Sequence, residues 1–241
     1  MSIDNWNLPD ANAGKELETI DPLPARARSL LVRNRTKPML KAYGVVAVLG
    51  AIEMLEGLDY HHDNVIKITS ALASGDLPLA SAVNIDHEVV AYINRVGQFF
   101  FFAKSDFAKK VICDFPACIP TIARLMVFRN KHTAHRSMDD PRGESEDEKV
   151  AHARAVSSMM GFILTPKPNA PKLPTDSVEL AQLVREVGVE QFRRDQWKHN
   201  YKKFQTFDSK LGSSVNFTME VEHPKIMREA YCVVERIILN E

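Results

Sequence analysis

Apolar residues that recur at intervals of three and four through most of the span from Pro38 to Leu164 restrict this chain to a bundle of helices. Val45, Val48, Leu49, Ile52 and Leu55 open the pattern, and Val65, Ile66 and Ile68 resume it after the polar Asp59–Asn64. This is one long helix, or two with a break near His61, ended by Gly75-Asp76-Leu77-Pro78. A second helix is expected from an Asp86 N-cap along Val89, Ile93, Val96, Phe100, Phe107 and Val111 to about Ile112. Within it, Phe99–Phe102 puts aromatic rings on more than one side, so the helix must be buried among neighbours or in a subunit interface. Asp114–Cys118 starts a third helix that runs from Ile119 through Ile122, Met126 and Val127. A fourth is expected over Glu146–Leu164 on the stripe Val150, Ala153, Val156, Met160 and Ile163. The short acidic loop Asp139–Glu148 between these two makes them antiparallel neighbours.

Beyond this the period changes. Thr165–Pro174 is a proline-rich, extended connector, and Ser177 to about Asn200 is helical with a weaker apolar stripe. Phe204 and Thr206, then Val215, Phe217, Met219 and Val221, alternate in period two about Ser209–Ser213, the pattern of a hairpin. Pro224 suits the first position of a closing helix carrying Ile226, Ala230, Val233, Val234 and Ile237. The expected organisation is an N-terminal arm (1–37), a helical bundle (38–164), a connector (165–175) and a small C-terminal α/β extension (176–241) that packs on the bundle.

Lys plus Arg equals Asp plus Glu at 31 each, which removes nonspecific nucleic-acid binding by overall charge and leaves room only for a local basic patch. Cys113, Cys118 and Cys232 are odd in number and lack metal-type spacing, as in a reducing compartment, and read as small core residues. No basic region followed by an apolar run stands at the N-terminus, and Glu53 and Glu56 break Val45–Leu55 well short of a membrane span. A cytoplasmic protein without a membrane segment is expected.

The densest chemistry lies where the third helix ends, at Phe128-Arg129-Asn130-Lys131-His132-Thr133-Ala134-His135-Arg136. Metal-free cleavage of RNA needs a base for the 2′-hydroxyl, an acid for the leaving oxygen and a fixed cation for the charge building on phosphorus. Histidine serves the first two roles and arginine the third. On an ideal helix Arg129 and His135 diverge by about 120°, so helix distortion or a partner subunit must bring them together. Asn130 falls near the stripe of Ile119, Ala123 and Met126 and is expected to face the bundle. The same residues also suit a solvated cationic helix end that pairs with the acidic loop. His132-x-x-His135 is a weaker candidate for half of a metal site, since no cysteine or carboxylate cluster sits at ligand spacing, although His61-His62-Asp63 could contribute; no cofactor is called for.

Arg129-Asn130-Lys131-His132-Thr133-Ala134-His135 at the end of an apolar helix resembles the Arg-Asn-x-x-x-x-His form of the motif of HEPN domains. The resemblance covers residues 40 to 164. It implies a dimerising helical bundle and, in many members, a metal-independent endoribonuclease of toxin–antitoxin, antiphage or RNA-surveillance systems. It makes Arg129, Asn130 and His135 the catalytic candidates, with Lys131, His132 and Arg136 beside them as substrate-binding residues. RNA is the implied substrate, and the implied partners are a second copy and an antitoxin or other protein. Ser137 stands where HEPN toxins paired with a nucleotidyltransferase antitoxin often carry tyrosine, so that mode of inactivation is not implied. Some members of the family bind without cleaving, and a noncatalytic interaction module binding RNA, a nucleotide or a protein is the alternative.

Overall fold

A computed structural model describes residues 22–40, 43–130, 162–208 and 213–240. The described residues form seven α-helices and one three-stranded antiparallel sheet, so the chain is mainly helical. In order they are α1 (Leu23–Asn34), α2 (Tyr43–Ser74), α3 (Val83–Ala103), α4 (Pro120–Phe128), β1 (Phe162–Pro166), α5 (Ser177–Val187), α6 (Val189–His199), β2 (Asn200–Asp208), β3 (Ser213–Thr218) and α7 (Met219–Leu239). No helix among them is long and apolar enough to cross a membrane.

The chain divides into two compact units, one of residues 1–56, 98–123 and 225–241, the other of 57–97 and 124–224. In the first, Ala27 and Leu31 bury one side of α1, an element that apolar periodicity alone does not announce. Arg28 grips Glu56 of α2 through two nitrogens, at 2.6 and 2.8 Å. Lys37 Nζ donates to the Leu239 carbonyl at the C-terminal end of α7 (2.7 Å), where the helix leaves such groups unpaired. The phenylalanine run divides as expected of a helix with rings all round. Phe99 is fully buried, Phe100 and Phe102 are half-buried against Phe115 and Phe107, and Phe101 is exposed.

In the second unit α2 and α3 run antiparallel. His61 meets Glu88 (2.7 Å), and the Arg95 side chain lies over Gly57, where a Cβ would stand 3.0 Å from its Nε. The polar stretch around His61 does not break α2, which continues to Ser74 and ends on Gly75 with φ +94°. Arg194 of α6 closes over that end, donating to the Leu72 and Leu77 carbonyls at 2.8 and 3.2 Å. The expected hairpin is present as β2 and β3, with Phe204 opposite Phe217. Phe204 and Phe217 stack at 6.0 Å, and Phe217 also meets Tyr92 and Phe128, so this face of the sheet is a core surface.

Several boundaries differ from the periodicity. Phe162–Pro166 forms β1 rather than the last turn of a helix or the start of the connector, because Leu164 and Thr165 pair with Lys202 and Tyr201 of β2. That pairing is invisible to a local window. The helical stretch after the connector is two helices divided at Gly188, whose φ of +85° is closed to most side chains. Met219 and Val221 belong to α7, and Pro224 lies inside that helix rather than at its first position. Likewise α3 starts at Val83, ahead of the expected cap, and the carboxylate of Asp86 turns instead to Lys202.

Candidate functional site

Pro120 opens α4 at a position where its missing N–H removes no helix bond. Glu229 of α7 supplies the cap: its two carboxylate oxygens accept from Thr121 N (2.9 Å) and Ile122 N (3.0 Å). The third helix therefore begins at Pro120, not in Asp114–Cys118. Ile122, Leu125, Met126 and Phe128 are buried along it. α4 ends at Phe128, and Arg129 and Asn130 follow it directly.

Arg129 is half-buried and packs on α3. A Cβ placed on Gly97 would stand 3.1 Å from Arg129 Cγ, 3.3 Å from Cδ and 3.2 Å from Nε, so the stem of the arginine occupies the space that glycine leaves. Its Nη1 donates to Asn130 Oδ1 at 3.3 Å. Asn130 is exposed rather than turned into the bundle; α4 ends at Phe128, so Asn130 lies beyond the regular helix whose register set its expected direction. Of the predicted site residues the structure thus brings Arg129 and Asn130 together. Lys131, His132, His135 and Arg136 lie outside the described residues, as do the acidic loop and the fourth helix up to residue 161.

A second cluster in the same unit has little signal in the sequence. His223, in the first turns of α7, bonds Asp59 of α2 through Nε2 (3.0 Å) and Tyr92 of α3 through Nδ1 (3.0 Å). A carboxylate can only accept, so Nε2 donates to Asp59, and Nδ1 is left to pair with the Tyr92 hydroxyl. His62 stacks on this imidazole, ring centroids 3.9 Å apart and planes within 7°. Burial, and then the proximity of His223, lower the His62 pKa below 6.5, against the pull of Asp63 and Asp59. The Tyr92 hydroxyl, fully buried near Asp59 and Glu222, is pushed well above its usual range. Beside it Glu222 pairs with Arg124 of α4 through Oε1, while its Oε2 is buried without a partner. The relay runs from the partly exposed Asp59 to the buried Tyr92 and ties α2, α3 and α7 together. A polar His61-His62-Asp63 inside an apolar helix was its one local signal, since His223 stands 164 residues from Asp59.

The remaining candidates are weaker. Cys113 is exposed, unlike the expected core residue, and Cys118 is half-buried with its thiol raised to about 11 by burial and by Asp114. No group of three or more His, Cys, Asp or Glu among the described residues is arranged to hold a metal ion. No family model, curated protein or solved structure matches the chain.

Proposed function

We propose that this protein is a metal-independent endoribonuclease of the HEPN type, a growth-arresting or antiphage effector that acts in the cytoplasm as a homodimer. The observation that carries the reading is the spacing Arg129-Asn130-x-x-x-x-His135 at the end of the apolar helix α4, in a mainly helical chain. The seat that Gly97 gives Arg129 supports it, because it fixes the arginine at the helix end.

In this reading the 2′-oxygen attacks phosphorus as its proton passes to a base, and the bond to the 5′-oxygen breaks as an acid protonates it, leaving a 2′,3′-cyclic phosphate. His135 fills the base or acid role, Arg129 holds the charge on the phosphorane oxygens, and Asn130 orients the arginine to which it is bonded. Lys131, His132 and Arg136 bind neighbouring phosphates. A noncatalytic module, binding RNA, a nucleotide or a protein, is the alternative, in keeping with the balanced overall charge. Expression in a growing host separates the two. The nuclease reading requires wild type to arrest growth and His135→Ala to be harmless at equal protein level; equal growth of both sinks it.

A further inference from the structure

The sheet has one face in the core and one face away from it. Tyr201, Lys203 and Gln205 of β2 alternate with the core-facing Lys202 and Phe204. Thr165 is paired with Tyr201, Thr218 with Lys203 and Asn216 with Gln205, so these share the outer face. At the corner where α6 enters β2, Lys167 Nζ donates to the Lys198 carbonyl (2.9 Å) and lies 5.3 Å from the centre of the Tyr201 ring. Lys198 is exposed, and Tyr201 and Lys203 are half-buried.

Charge is concentrated here. Residues 162–174 and 193–205 carry seven lysines and arginines against one acidic residue, Asp195, in a chain whose total is balanced. Arg194 and Lys202 are turned inward to the end of α2 and to Asp86. Lys198 and Lys203 have no ion-pair partner among the described residues, and Glu220, near Lys167 and Lys202, is a carboxyl whose pKa burial raises.

We infer that this outer sheet face and the α6–β2 corner bind single-stranded RNA, Lys198, Lys203 and Lys167 against phosphates and Tyr201 against a base. The nuclease reading supplies only the choice of RNA as the polyanion. An aromatic ring set among lysines on a sheet face is how single strands are held without sequence preference, by stacking and by phosphate contacts. Ile163, paired with Lys203, shares the face with Thr165, Gln205, Asn216 and Thr218, so polar residues outnumber the one aliphatic residue there, unlike an element that lies on lipid.

Fluorescence anisotropy of a labelled, unstructured RNA on the full-length His135→Ala protein, which leaves the RNA uncut, tests this. Adding Lys198→Gln and Lys203→Gln is expected to weaken binding about tenfold near 0.1 M salt and to lower the slope of log affinity on log salt by about 1.4, roughly 0.7 for each phosphate contact on a single strand. Lys67→Gln, an exposed lysine on α2, is expected to change neither. Unchanged affinity and slope in the double variant overturn the proposal, as does an equal loss from Lys67→Gln or capture by phosphatidylserine vesicles but not by RNA. If thermal melting shows the double variant unfolded, Lys198→Gln alone is read, with a slope change of about 0.7. Cleavage by wild type with unchanged binding by the double variant removes this surface and keeps the nuclease. Binding through these lysines without any cleavage by wild type does the reverse.

Discussion

Gly97 is the position where one methyl group is expected to be felt most directly. A Cβ there meets the Arg129 stem at 3.1–3.3 Å, tight enough that the arginine must shift by a few tenths of an ångström. Alanine is the better helix residue by about 1 kcal/mol, so Gly97→Ala should leave thermal stability equal or higher while kcat for RNA cleavage falls about tenfold. A variant that cleaves as wild type does would show that Arg129 needs no such seat. His62 carries a different prediction. Its pKa is lowered in the fold, so below about 6.5 the unfolded chain binds the proton more readily than the folded one. The His62 contribution is intact above that pH and is lost as pH falls through the lower, folded value. Melting at pH 7.5 and pH 5 should show a larger drop for wild type than for His62→Gln; parallel drops would remove His62 as the cause. At this scale the motif residues were legible because the chemistry of Arg129, Asn130 and His135 lies in one short stretch. The partners of His223 were not, because Asp59 and Tyr92 reach it only through the fold.

At the scale of elements, the buried pair Lys202–Asp86 joins β2 to the first turn of α3, with side chains 5% and 12% exposed. Burial lowers the Lys202 pKa even with Asp86 beside it, so the pair is held against a desolvation penalty. Lys202→Met leaves Asp86 buried and uncompensated and should cost about 3–5 kcal/mol in denaturant unfolding, whereas Lys202→Met with Asp86→Leu should recover most of it. Equal losses from the single and double variants would contradict the coupling. Long elements were the legible ones. The apolar stripe of α2 survives the polar His61-His62-Asp63, since those side chains find Glu88, His223 and one another. Ends were less so. Asp86 has the chemistry of a cap but is drawn to Lys202, and α4 is capped by Glu229, more than a hundred residues away. β1 was hidden because Ile163 fits a helical stripe and a strand equally well until β2 is beside it.

At the scale of the molecule, Arg129 and His135 diverge by about 120° on an ideal helix, and the regular helix α4 ends at Phe128, before both. Catalysis then needs the two residues in one cleft, by helix distortion or across a dimer. Cleavage of an RNA by the purified full-length protein in excess EDTA tests the central claim most directly. Wild type should cut and leave 2′,3′-cyclic phosphate or 3′-phosphate ends, and His135→Ala, folded and in the same oligomeric state, should leave the RNA whole. Absence of cutting by wild type, or undiminished cutting by His135→Ala, would contradict it.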